Sequence, residues 1–229
     1  MLKSSNKFPQ FLSFISRNMS SSSKNSVGLC QMRSTNDKNH NKQQITELFS
    51  RAKGQASLLM FPECCDYIGS NATETQKLAE SLTGDTVKFY QKLCAESNIW
   101  VSNRGRNLED FKLSYCFVQG SFGGIHELAT DSAGNKPGKL FNSHIIIDSN
   151  GEIVGLYRKM HLFDVETPEK KFEESKYVKP GIGAVYPVQT PVGIVGLTIC
   201  YDIRFPEVLH VQIFDSIIST FHYFSQQFG

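Results

Sequence analysis

The chain has 229 residues, a formal net charge of +2, 40% hydrophobic and 20% charged residues. That length buries one sizeable core, and the composition is that of a globular domain, which excludes a mainly disordered or fibrous chain. The small charge leaves no electrostatic stripe for nucleic acid or an anionic membrane, and no apolar run approaches the ~20 residues of a membrane-spanning helix.

Residues 1–26 form an N-terminal extension with its own composition. Lys3, Lys7, Arg17 and Lys24 stand there without an acidic residue, and serine runs from Ser20 to Ser23. This is the profile of a mitochondrial transit peptide, with Phe8, Phe11, Leu12, Phe14 and Ile15 as its apolar side. The alternative is an unstructured tail ahead of an internal start at Met19. The expected location is therefore mitochondrial, cytoplasmic or both.

Ser26 to Met32 reads as the first strand. The polar turn Ser34 to Lys38 leads into a helix through Ile45, Leu48 and Ala52, with apolar positions three and four apart. Ala56 to Phe61 reads as a second strand. Thr75 to Ile99 reads as one helical stretch with Leu78, Leu82, Val87, Tyr90, Leu93 and Cys94 mostly on one face, followed by a strand at Ile99 to Val101. Ser143 to Asp148 and Glu152 to Lys159 flank Ser149-Asn150-Gly151, a hairpin signal because Asn-Gly accepts positive φ at both turn positions. The alternation predicts an α/β layered domain.

Six cysteines are present: Cys30, Cys64, Cys65, Cys94, Cys116 and Cys200. No signal peptide with a clear apolar core precedes them, and a domain of this size stands without disulfide staples, so free thiols in an intracellular protein are expected. The pair Cys64-Cys65 has no second pair at ligand spacing, which argues for packing beside Glu63 and against metal. The sequon Asn71-Ala72-Thr73 matters only in a secreted protein.

Three segments carry chemistry. Glu63 follows the apolar run Ala56 to Phe61, Lys159 follows Ile153 to Tyr157, and Cys200 follows Val192 to Ile199. A side chain just after such a run emerges at the rim of a sheet. A cysteine nucleophile needs a base to take its proton and a cation to hold developing negative charge, and these segments offer one of each. Flanked by Phe61 and Pro62, the Glu63 carboxylate is expected to sit partly desolvated.

The segments Phe61 to Cys65, Tyr157 to Asp164 (YRKMHLFD) and Cys200 to Glu207 (CYDIRFPE) resemble, in order, the Glu-Lys-Cys triad motifs of the nitrilase (carbon–nitrogen hydrolase) superfamily, most closely its Nit branch. The resemblance runs from Val27 to Glu207. It implies an incomplete nitrilase-type αββα sandwich over 27–207, a mixed sheet flanked by helices. It also implies Glu63 as base, Lys159 and a backbone N–H just after Cys200 as oxyanion donors, and Cys200 as nucleophile. Glu174 in Phe172-Glu173-Glu174-Ser175 is then the second glutamate that positions the lysine and substrate, with Glu173 as its competitor. Asp202 and Arg204 are expected to fix the loop around Cys200 through an ion pair, and His126, His144 and His161 to be structural.

The implied activity is an amidase that hydrolyses a small carboxamide, deaminated glutathione, through a cysteine thioester without metal or organic cofactor. An omega-amidase acting on 2-oxoglutaramate is the alternative. The resemblance also implies a homo-oligomer for the full-length family form. Relative to the family pattern, 103–120 is inserted and 208–229 replaces the usual continuation, so splicing or the gene structure is a natural source of both. The other functional reading is therefore a truncated, catalytically inactive isoform whose exposed sheet edge leaves the isolated chain unstable.

Overall fold

In the computed structural model, which describes residues 11–16, 26–97, 124–129, 138–169 and 171–212, the first sheet is built around a parallel pair. Strand β1 (Phe11–Ser16) runs antiparallel to β2 (Ser26–Gln31), and β2 runs parallel to β3 (Leu58–Met60). A parallel pair needs a crossover, and helix α1 (Lys38–Ala52) supplies it. The Asp37 side chain caps α1 by accepting from the N–H groups of Asn39 and His40 at 2.9 and 3.1 Å. Within the basic extension, residues 11–16 thus form a strand.

The single helical stretch expected over 75–99 is instead two helices, α2 (Ala72–Leu78) and α3 (Asp85–Ser97). Asn71 is the N-cap of α2, its side chain accepting from the Glu74 N–H at 3.0 Å, so the sequon residues here serve as a helix start. The chain leaves the helix at 79–84, where Glu80 bridges to Glu127. The Glu80 carboxylate then accepts from the Thr86 N–H and hydroxyl at 2.8 and 2.9 Å, satisfying donors in the first turn of α3. The expected strand at 99–101, the insertion 103–120, Cys116 and residues 213–229 lie outside the described residues.

A second sheet is the antiparallel meander β4 (Gly124–Leu128), β5 (Leu140–Ile147) and β6 (Ile153–Arg158). In the β5–β6 turn only Gly151 takes a positive φ, +83°, whereas Asn150 does not. Asp148 organises that turn instead, its Oδ1 accepting from the N–H groups of Asn150 and Glu152, both at 2.9 Å. Two small hairpins complete the described strands: β7 (Asp164–Glu166) with β8 (Lys171–Glu173), and β9 (Val188–Thr190) with β10 (Gly193–Val195). A helix covers 206–212.

The apolar run Val192 to Ile199 is ladder-paired only at β10. Beyond it, side chains take the backbone carbonyls: Gln212 Nε2 donates to Leu197 O at 2.7 Å, and His144 Nδ1 lies 3.1 Å from Thr198 O. One core joins these parts, with Val27, Leu58 and Met60 of the first sheet packed on Ile146, Tyr157, Val195, Leu197 and Ile199. Helices α1 and α3 pack on the outer side through Ile45, Phe49 and Ala52 against Phe89, Tyr90, Leu93 and Cys94. The result is an α/β fold with mixed strand directions.

His144 makes this packing sensitive to acid. A carbonyl only accepts, so Nδ1 donates to Thr198. Burial pushes the His144 pKa down to about 4, against the opposing effect of that hydrogen bond. The unfolded chain therefore binds the extra proton between about pH 6.5 and pH 4, and stability is lost as pH falls through that window. Up to about 3 kcal/mol is at stake, from ~1.4 kcal/mol per pKa unit. Urea unfolding across this range is expected to show that loss, and His144→Gln to flatten the slope.

Candidate active site

The end of β6 delivers Lys159 to the interior. Its N–H donates to Asn142 O of β5 and its carbonyl accepts from the Gly181 N–H, both at 2.9 Å, so its backbone is held on both sides. The side chain is 2% exposed. A buried ammonium is expensive unless paired and hydrogen-bonded. Glu174 meets that need, its two carboxylate oxygens lying 3.0 and 2.8 Å from Lys159 Nζ. Burial opposes the lysine charge, but the hydrogen bond and charge of Glu174, with Glu63 behind it, lift its pKa above the ordinary value.

Glu174 opens the short helical turn Glu174–Lys176 after β8. Its Oε2 also accepts from the Phe163 N–H at 2.7 Å, which locks the carboxylate toward the lysine. Glu173, the competing residue, points the other way: it pairs with Lys176 and with Lys171.

Glu63 follows β3 and places Oε1 3.8 Å from Lys159 Nζ. The Asn142 amide donates to the same oxygen at 2.7 Å. Its neighbour Cys64 has φ +58°, and Cys200 has φ +46°; these are the described non-glycine residues in the left-handed region. Such backbone costs ~1–3 kcal/mol and persists where the surroundings over-determine it.

Around Cys200 the determinant is Asp202, fully buried in the short helical turn Cys200–Arg204. Its Oδ2 accepts from Tyr157 Oη at 2.8 Å and the Ile199 N–H at 3.0 Å. Its Oδ1 takes the His161 N–H at 3.1 Å and lies 2.8 Å from His161 Nδ1. The expected ion pair with Arg204 is therefore replaced: Arg204 is exposed, and Asp202 is saturated by buried donors. His161 stacks on Phe205 at 3.7 Å, His126 lies 3.2 Å from Asp66, and His144 serves Thr198, so all three histidines hold structure.

The four residues singled out in the sequence, Glu63, Lys159, Glu174 and Cys200, thus meet in one place. The charges of Glu63, Lys159 and Glu174 all act on the Cys200 thiol. Burial first, then the charge of Glu63, hold that thiol above its ordinary pKa, while Lys159 pulls it down. The sulfur therefore rests as a thiol within reach of the Glu63 charge. Cys30, Cys64, Cys65, Cys94 and Cys200 are all free of disulfides.

The profile of the family described as Carbon-nitrogen hydrolase matches residues 26–215. The chain belongs to the carbon–nitrogen hydrolase family. This carbon–nitrogen hydrolase is 40% identical over 184 residues to the deaminated glutathione amidase of Mus musculus, covering 80% of this chain and 50% of the mouse protein. It is 40% identical over 182 residues to the nitrilase and fragile histidine triad fusion protein NitFhit of Drosophila melanogaster, covering 79% of this chain and 34% of that one. The crystal structure of the C. elegans NitFhit protein superposes with a TM-score of 0.64 at 32% identity, covering 81% of this chain and 40% of that chain. The chain thus spans between a third and a half of the length of these curated relatives.

Sequence reasoning passed over Asn142. The signal was a break in the strand pattern: Asn142, Ser143 and His144 are consecutive polar residues inside β5, and all three are buried. A buried polar run in a strand marks groups with partners.

The coupling of Glu63 to Cys200 has a measurable sign. Replacing Glu63 by Gln removes a charge that raises the thiol pKa. The pH midpoint for alkylation of Cys200 by iodoacetamide is expected to move down in Glu63→Gln; an unchanged midpoint would mean the two groups are not coupled.

Proposed function

We propose that this site hydrolyses a small carboxamide, with deaminated glutathione as substrate, through a thioester on Cys200. The observation that carries this reading is Lys159 held between Glu63 and Glu174, with the charges of all three acting on the Cys200 thiol. The names of the amidase relatives support it.

Glu63 takes the proton from Cys200 as sulfur attacks the amide carbon, forming the C–S bond. The carbonyl electron pair moves onto oxygen, where Lys159 Nζ and the Tyr201 backbone N–H oppose the charge. Collapse breaks the C–N bond, and the proton on Glu63 passes to the departing nitrogen, which leaves as cysteinylglycine. Water then gives a proton to Glu63 and adds to the thioester. Breaking the C–S bond releases 2-oxoglutarate, and the proton on Glu63 returns to sulfur, restoring the thiol and the carboxylate. Glu174 holds Lys159 in place throughout.

The test is release of cysteinylglycine from deaminated glutathione, with ammonia release from 2-oxoglutaramate measured alongside. Cys200→Ala is expected to lose several orders of magnitude in rate with the fold intact, and Cys200→Ser nearly as much, because an alcohol has a far higher pKa. Turnover above about a tenth of the parent would sink the nucleophile assignment.

Lys159→Met is expected to lower kcat more than it raises KM, since the charge it opposes develops only during attack. A change confined to KM would make Lys159 a clamp on a substrate carboxylate.

A further inference from the structure

Asn142 stands between the two glutamates of the site. It is 6% exposed, donates from Nδ2 to Glu63 Oε1 at 2.7 Å, and lies 3.5 Å from Glu174 Oε1. Its carbonyl accepts from the Lys159 N–H at 2.9 Å, so one residue of β5 touches three of the four site residues. Gly124 packs so closely on Asn142 Oδ1 and Glu63 Cγ that a Cβ there would collide with the amide oxygen. That wall leaves the amide little room to withdraw. Chemistry fixes its orientation, because a flipped amide would set Oδ1 against a carboxylate oxygen.

The distances around Lys159 are unequal. Its ammonium lies 2.8 Å from Glu174 but 3.8 Å from Glu63. A carboxylate that close to a buried ammonium is drawn toward contact. The short bond to Asn142 opposes this movement.

We propose that Asn142 is a positioning residue: by occupying Glu63 Oε1 it holds the carboxylate off Lys159, leaving Oε2 to face the Cys200 thiol and receive its proton. The Asn142 amide and the Lys159 ammonium both approach Oε1. This rests on the reading of Glu63 as the base for Cys200, and adds to it the group that aims that base.

The experiment reads the thiol, so it does not depend on turnover. In the full 229-residue chain, Cys200 alkylation by iodoacetamide is followed across pH and assigned by peptide mass spectrometry, with circular dichroism to check the fold. The charged groups facing Cys200 are Glu63, Lys159 and Glu174. Asn142→Ala removes the donor, and Asn142→Leu removes it while keeping the bulk, in case the smaller side chain unfolds the site. Both are expected to lower the alkylation midpoint in the same direction as Glu63→Gln, by up to about one pH unit, because Glu63 no longer stands against the sulfur. A merely structural role would leave that midpoint alone. Folded Asn142 variants that keep the parent midpoint, where Glu63→Gln lowers it, overturn the inference and leave the role of Glu63 standing. If Glu63→Gln also leaves the midpoint unchanged, the inference and the reading beneath it fall together.

Discussion

The Lys159 ammonium, buried to 2% exposure, is the constraint around which the rest of the site is arranged. Taking such a charge out of water costs several kcal/mol, and only paired, well-oriented oxygens offset it. Glu174 is brought there from the far end of the β7–β8 hairpin and locked by the Phe163 N–H. Glu63 arrives from β3 and stops one ångström farther out, at 3.8 Å against 2.8 Å. One carboxylate is thus committed to the lysine, and the other remains available to the sulfur. That division of labour depends on geometry, since the two glutamates are chemically identical.

A second buried anion, Asp202, does for Cys200 what Glu174 does for the lysine. It gathers Tyr157, Ile199 and His161 around the turn that carries Cys200. Tyr157 lies in β6 and Lys159 follows its end, so the strand that delivers the cation also supplies a donor that holds the Cys200 turn. This tie makes the left-handed backbone at Cys200 tolerable. It also explains why Arg204 is left in solvent: every lone pair that Asp202 offers to a close partner is already directed inward.

The fold was legible where local chemistry decides it. The crossover helix through Ile45, Leu48 and Ala52 and the hairpin around Gly151 follow from spacing and turn residues. The helical reading of 75–99 went astray at Glu80 to Gly84, where apolar spacing continues but a bridge to Glu127 pulls the backbone out of the helix. The turn at 148–151 was assigned to Asn-Gly, whereas the Asp148 carboxylate organises it. In both places a contact formed elsewhere in the chain, or a side chain capping its own turn, overrode a pattern read along the chain.

The sequence by itself pointed to four residues. Glu63, Lys159, Glu174 and Cys200 each follow or adjoin a recognisable apolar run or motif, and the family likeness lies in those same stretches. Tertiary structure alone decided their relations: Glu174 over Glu173 beside the lysine, the Glu63 charge within reach of the sulfur, Asp202 bound to Tyr157 and His161 rather than Arg204, and Asn142 between the glutamates. The physical reason is that a motif specifies a side chain and its local backbone. A hydrogen bond at 2.7 Å between residues 79 positions apart is specified only when separate strands pack into one core.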